Sequence, residues 1–457
     1  MTAAPPTDSL ASPIESLDQL TEYLAQGSKP KDQWRIGTEH EKFVFCRTNL
    51  EPIPYDGDNG IRVILERLAE ETGWGLIIED DHPIGLKGDG ASVSLEPGGQ
   101  FELSGAPLEN IHETCDEVHQ HLDAVKRVCD PLGVAFLGMG FAPTWTLPQT
   151  PRMPKSRYDI MRAYMPKVGS LGLDMMHRTC TVQVNLDFSS EADMAAKFKT
   201  SLALQPIATA LFANSGIYEG APSGFVSYRA HIWTDTDPDR TGLLDFVFED
   251  GFGFERYRDY MLDVPMYFLR RNDQYIDAAG HSFRDFLDGK LAVAPGERPT
   301  IKDWEDHLST AFPEVRLKQF LEMRGADSGP WARICALPAF WVGLLYDEQA
   351  LDAAWDVAKG WSADERRTLR ADAAKLGFNA TVGGRRVQDI AIEVLEIARG
   401  GLSRRARSGN LKYDETDYLD PLIKIARSGV TMGEYMTEYF MDELEQDTHK
   451  LFDECKY

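Results

Sequence analysis

The apolar and polar positions of Trp34 to Phe45, WRIGTEHEKFVF, alternate with the two-residue period of a strand that has one face on a core. Alternation turns Glu39 and Glu41 onto the same face. Two acids side by side on a sheet repel each other, and a divalent metal with oxygen ligands is the usual remedy; a solvated face is the plainer alternative. The same period recurs three times. Gly85 to Gly105, GLKGDGASVSLEPGGQFELSG, predicts two short strands joined at Pro97-Gly98-Gly99, and carries Glu96 and Glu102. In MMHRTCTVQVNLDF, Val182, Val184 and Leu186 alternate with Thr181, Gln183 and Asn185. VRLKQFLEMRG reads as one strand ending in Glu322 and Arg324, again two apart on one face.

Helical spacing predicts helices over Ser16 to Gln26, Gly60 to Glu71, Leu108 to Val128 and Ala192 to Asn214, the last with a nearly apolar, buried second half. FVSYRAHIW predicts a strand containing Arg229, and VPMYFLRR, 264–271, another containing Tyr267. From Trp331 onward helical patterns dominate. The Pro/Ala/Thr-rich start, residues 1–15, reads as a disordered tail.

A length of 457 residues allows two domains or one large enzyme domain, and 43% apolar content suffices for a core. The net charge of −25 excludes nucleic acid and anionic membrane as partners, both being negative themselves. No apolar run reaches the roughly 18 residues of a membrane span, and the N-terminus lacks a basic start and an apolar stretch, which predicts a cytoplasmic chain. The six cysteines show no CxxC or zinc-type spacing, so reduced thiols are expected. Cys115 and Cys129, on one helix about 21 Å apart, are beyond disulfide reach of each other and read as small core residues.

Several motifs are excluded. The glycines of 85–105 form no phosphate loop, and the GxG after residue 137 runs into Pro143. DTDPDRTG fails as a calcium loop at Arg240 and Phe246. What remains is an inventory: Glu39, Glu41, Glu96, Glu102 and Glu322 on four separated strands, with Gln183, Asn185, Arg229 and Arg324 as polar company. That set suits two or three Mg²⁺ ions on a nucleoside triphosphate, with an arginine on the transferring phosphoryl group. No Ser/His/Asp or Cys/His arrangement competes.

The runs RIGTEHEKF, EPGGQFELSGAP, RYDIMRAYMP, RTCTVQVNLDFSSEADM, RAHIWTDTDPDRTG, DVPMYF and FLEMRGADSGPW, between about residues 34 and 350, resemble glutamate–cysteine ligases of the plant and α-proteobacterial type. The resemblance implies an α+β, glutamine-synthetase-like fold. An antiparallel sheet would form a funnel around the metals, in a single catalytic domain over 16–457 whose part 331–457 is mainly helical. It implies ATP-dependent joining of the L-glutamate γ-carboxylate to the L-cysteine amine through γ-glutamyl phosphate, the first step of glutathione biosynthesis. Position by position it makes Glu39, Glu41, Glu96, Glu102 and Glu322 metal-binding acids, with Gln183 or Asn185 completing a shell. Arg324 falls near the phosphates, and Arg157, Arg229 and Tyr267 at the amino-acid substrate. Ala278 and Val293 stand where flowering-plant members carry a redox-sensitive cysteine pair, so a monomer or weak dimer without that switch is expected. A ligase using another amine, a phosphagen-type kinase and a non-catalytic binding role are the alternatives.

Overall fold

The computed structural model describes residues 12–408 and 414–457. Its centre is a nine-stranded sheet, antiparallel throughout, built from β1 (Ile36–Cys46), β2 (Gly75–Glu79), β3 (His82–Gly88), β4 (Ala91–Leu95), β5 (Phe101–Ser104), β6 (Val134–Leu137), β7 (Thr181–Leu186) and the late strands β8 (Val315–Leu317) and β9 (Leu321–Asp327). The spatial order is β8-β9-β7-β1-β5-β4-β3-β2, with β6 pairing the second half of β1. β1 is central because its sequence serves two environments. From Ile36 to Lys42 it alternates, with Ile36, Thr38, His40 and Lys42 fully buried on one side and Gly37, Glu39 and Glu41 half-buried on the other. From Phe43 to Phe45 all residues are buried, and this half turns from β5 and β7 to β6.

Register then sets the polar face. Glu41 lies opposite Glu102, Glu39 opposite Gln183, and Asn185 between Gly37 and Glu322. Gly37 matters here, since a Cβ on it would sit 3.3 Å from the Asn185 Cβ. Helices cover the buried side. Helix α1 (Ile111–Cys129) presents Ile111, Cys115, Val118, Leu122 and Val125 inward, started by the Asn110 side chain accepting from the Glu113 amide. Helix α2 (Glu191–Phe212) is buried along nearly its whole second half, as its apolar sequence predicts. Helix α3 (Trp331–Leu345) is buried almost all round, and α4 (Val387–Ser408) crosses it. That crossing rests on two glycines: a Cβ on Gly343 would lie 2.5 Å from the Ala398 carbonyl oxygen, and one on Gly401 only 1.9 Å from that of Gly343.

Five expectations are corrected. Tyr228–Ile232 is a short helix rather than a strand, because the Ser227 hydroxyl caps it by accepting from the Ala230 amide. Only Phe268–Arg271 of 264–271 is strand, and Tyr267 precedes it. VRLKQFLEMRG is the β8–β9 hairpin, turning at Lys318–Phe320, so Arg316 faces Glu322. Cys115 is not a free thiol: α1 and α3 pack so that its Cα is 5.5 Å from that of Cys335, and the two form a disulfide. The partner lies 220 residues away, and spacing within one helix gives no view of it. The expected tail falls mostly on residues 1–11, outside the described residues. Ile14, assigned to the tail, is buried, and its amide donates to the Pro299 carbonyl.

Replacing Gly401 by Ala gains about 1 kcal/mol of helix propensity, yet it drives a methyl into the Gly343 carbonyl. The expected net effect is a loss of about 1–3 kcal/mol in denaturant unfolding. A stabilised variant would contradict the close crossing.

Candidate active site

The polar face of the sheet forms the floor of a cavity of about 280 Å³. Glu39, Glu41, Glu96, Glu102, Gln183, Arg157, Tyr267 and Arg324, separated by up to 285 positions, all reach its wall. A smaller pocket of about 80 Å³ opens beside it, walled by Glu41, Arg229, Trp233, Arg324 and the methionines Met161, Met175 and Met176. A larger cleft of about 660 Å³ lies on the opposite side of the sheet, against α1. It holds none of these residues, and convergent polar chemistry makes the cavity of about 280 Å³ the candidate site.

The acids strain against one another. Burial in the wall, then Glu322 and Glu102, push Glu39 up to about 7. Burial, then Glu96 and Glu102, raise Glu41 well above the carboxylate range, although its Oε2 accepts the Thr181 amide at 2.9 Å. Glu102 is raised by burial and by Glu96, while the Ser94 hydroxyl donates to it at 2.8 Å. Glu322 behaves in the opposite way. Burial alone would raise it, but Arg316, Lys318 and Arg324 outweigh burial and hold it ionised far below the usual range. Arg316 grips both of its oxygens, at 2.5 and 2.9 Å, and Arg324 Nη1 donates to it at 3.0 Å.

This places two expected ligands differently. Glu322 is fully buried behind the wall, its oxygens engaged by two arginines. It anchors Arg324, whose Nη1 also donates to the Gln183 amide oxygen at 2.6 Å. Asn185 also lies behind the wall. Its Nδ2 donates to Glu39 at 2.7 Å, and its Oδ1 is buried without a partner. β9 slips its register against β7 between Met323 and Ala326, a bulge that re-aims Arg324. Arg229 donates from Nη2 to the Arg324 carbonyl at 3.0 Å, and so backs the same bulge. Arg157 opens the helix Ser156–Tyr164, tied to β2 through the Ser156 amide and Glu79. Its Nη2 donates to the Tyr158 hydroxyl at 3.1 Å. The Tyr267 ring lies 3.7 Å beneath the Arg240 guanidinium.

Sequence reading missed Arg316, Lys318 and Tyr158, all on the wall. Reading the R-x-K of VRLKQF as a strand that turns back before FLEMR would have put Arg316 opposite Glu322. The donor set fits Mg²⁺. All the candidate donors on the wall are hard oxygens, and burial with neighbouring acids raises three of them, Glu39, Glu41 and Glu102. Among the described residues no three Asp, Glu, His or Cys side chains close into a cage for one ion. Mg²⁺ needs none, being held by one or two carboxylates together with substrate phosphates and water.

The antiparallel sheet flanked by helices is a fold shared with a solved glutamate–cysteine ligase. The crystal structure of that enzyme from Francisella tularensis, determined in complex with AMP, superimposes with a TM-score of 0.56 at 10% identity, over 92% of this chain and 88% of that one. The model of glutamate-cysteine ligase family 2 matches residues 35–454, and the chain belongs to that family. It is 56% identical over 457 residues to glutamate–cysteine ligase B, chloroplastic, of Oryza sativa subsp. japonica, covering all of this chain and 90% of that protein. It is 55% identical to the chloroplastic glutamate–cysteine ligase of Arabidopsis thaliana, with 86% of that protein covered. The expected cytoplasmic location is overturned by these relatives and that of Medicago truncatula, which are named chloroplastic. The chain is an enzyme, a ligase.

Glu39, raised from an ordinary 4.5 to about 7, binds its proton more tightly folded than unfolded. Its contribution to stability is full below pH 4.5 and is lost as the pH rises to about 7. Thermal midpoints of the ligand-free protein across that window are expected to fall less steeply in Glu39→Gln than in the parent. Parallel slopes would remove Glu39 as the source.

Proposed function

We infer that this cavity joins glutamate to cysteine by first phosphorylating the glutamate side chain. The chain forms γ-glutamylcysteine at the expense of ATP, the first step towards glutathione. The observation that carries the site assignment is the convergence of Glu39, Glu41, Glu96 and Glu102 on one cavity wall with Arg324 among them. Carboxylates alone would repel the anionic phosphates and the glutamate. Glu39, Glu41, Glu96 and Glu102, with the Gln183 oxygen, would hold two or three Mg²⁺ ions. Bound there, Mg²⁺ neutralises phosphate oxygens and the acids together.

The chain's own groups do the rest. A carboxylate is a poor acyl donor because its oxygen does not leave. In the first step a γ-carboxylate oxygen of glutamate attacks the γ-phosphorus of ATP, the bond to the bridging oxygen breaks, and ADP departs. Arg324, held by Glu322 and Gln183, presents its guanidinium to the phosphoryl oxygens as charge shifts. Arg229 fixes the bulge that carries Arg324 and, with Arg157 and Tyr267, faces the amino-acid substrates. In the second step the cysteine amine attacks the acyl carbon, phosphate leaves with the former carboxylate oxygen, and the nitrogen loses a proton as the amide forms. No side chain becomes a covalent nucleophile; catalysis is positioning and electrostatics. In the pocket beside Arg229, Met161, Met175 and Met176 offer a polarizable surface for a thiol side chain.

With Mg²⁺, ATP and glutamate, purified protein is expected to release ADP in step with γ-glutamylcysteine when cysteine is added. Glu41→Gln is expected to lower kcat by about 100-fold or more with an unchanged circular dichroism spectrum. Parent-level turnover in that variant would remove Glu41 from the site. Turnover only with a different amine would move the acceptor.

A further inference from the structure

Residues Cys455–Tyr457 run alongside β6. Leu137 bridges Lys456, the Gly138 amide donates to the Cys455 carbonyl at 2.9 Å, and the Tyr457 amide donates to that of Phe136 at 3.0 Å. This lays the Tyr457 ring over Gly138, where a Cβ would lie 2.8 Å from the ring Cζ. The phenol hydroxyl donates to the Gly329 carbonyl at 2.6 Å and also meets the Ser328 side chain.

Gly329 and Ser328 belong to the corner at which β9 ends, and the site's supports meet there. The Ser328 hydroxyl donates to the Glu41 main-chain carbonyl at 2.8 Å, and its amide to that of Cys180 at 3.0 Å. The preceding Asp327 carboxylate accepts from the Asn214 amide at 2.8 Å and from the Ser215 and Ser227 hydroxyls at 2.7 and 2.8 Å. The Ser215 hydroxyl in turn accepts the Arg229 amide at 3.1 Å, and Ser227 caps the short helix that carries Arg229. One corner therefore sets the backbone beneath both Glu41 and Arg229.

We propose that Tyr457 is a positioning residue for the ligase reaction, acting through the Ser328–Gly329 corner on Glu41 and Arg229. The proposal rests on the reading of the acidic cavity as the ligase site. The Tyr457 hydroxyl supplies a hydrogen bond to the carbonyl oxygen of the buried Gly329. Without that bond the corner loses one of its anchors, and small shifts of groups that stabilise phosphoryl transfer cost rate steeply. Neither Tyr457 nor Ser328 lines the cavity, so sequence position and cavity lining alike leave them unmarked.

The test compares four full-length proteins, the parent, Tyr457→Phe, Ser328→Ala and the double variant, for γ-glutamylcysteine formation and thermal midpoint. Tyr457→Phe keeps the ring and removes the hydroxyl. It is expected to lower kcat about fivefold to tenfold, with KM for glutamate and ATP within about twofold and the midpoint within about 2 °C. The double variant is expected to lose no more than the worse single variant, because both act through one corner. Parent-level kcat in Tyr457→Phe, losses that multiply in the double variant, or a rate loss that only follows a fallen midpoint would each overturn the proposal. Glu41→Gln, run beside them, separates the two readings. If it is inactive while Tyr457→Phe is unimpaired, positioning alone fails; if it is fully active, the site assignment fails and this route fails with it.

Discussion

Repulsion between carboxylates is the constraint on which the rest of the structure depends. Glu39, Glu41 and Glu102 stand on neighbouring strands, raised by burial and by one another, and among the described residues no lysine or arginine hydrogen-bonds to them. Such an arrangement is costly, and it persists because the sheet leaves the side chains no other direction. On the reverse face β1 is filled by Ile36, Thr38, His40 and Lys42, packed beneath helices, so the acids face the cavity or the strand does not form. The same alternation that builds the core builds the unpaired charge.

Cations share the wall with the acids, but Arg316 and Arg324 are turned towards Glu322. Both arginines hydrogen-bond to Glu322, which stays ionised, while burial and mutual repulsion still raise Glu39, Glu41 and Glu102. On the proposed reading, the division sets the Arg324 guanidinium beside acids that a divalent cation would bridge. The proposed phosphoryl transfer would use both. The supporting layer is itself layered: Glu322 orients Arg324, Arg229 backs the bulge, and the Asp327–Ser328 corner underlies Glu41 and Arg229. This is the pattern expected of catalysis by pre-set dipoles and charges.

Much of this was legible from period alone. Alternation in TEHE and TVQVN placed Glu39, Glu41 and Gln183 on one face, and the antiparallel pairing confirmed which side that was. Helical spacing found the covering helices to within a few residues. What stayed hidden depends on contacts between distant segments. A capped five-residue helix at Arg229 looks like a strand until Ser227 is seen to hold the Ala230 amide. Glu322 and Asn185 carry the right chemistry, but Glu322 is fully buried and the half-buried Asn185 is also off the cavity lining, and alternation cannot tell a cavity floor from its foundation. Cys335 and Cys115 meet only because two helices pack. The family resemblance supplied the reaction; the residues by themselves supplied a metal–nucleotide cradle.

Transfer of a labelled oxygen bears most directly on the central claim, that glutamate is phosphorylated in this cavity before the amine attacks. Glutamate carrying oxygen-18 in its γ-carboxylate would be turned over with unlabelled ATP, Mg²⁺ and cysteine, and the released phosphate analysed by mass spectrometry. Each phosphate is expected to carry one oxygen from the glutamate, because the acyl–oxygen bond breaks with that oxygen on phosphorus. Unlabelled phosphate alongside normal γ-glutamylcysteine formation would mean that no γ-glutamyl phosphate forms, and would contradict activation of the glutamate side chain by ATP.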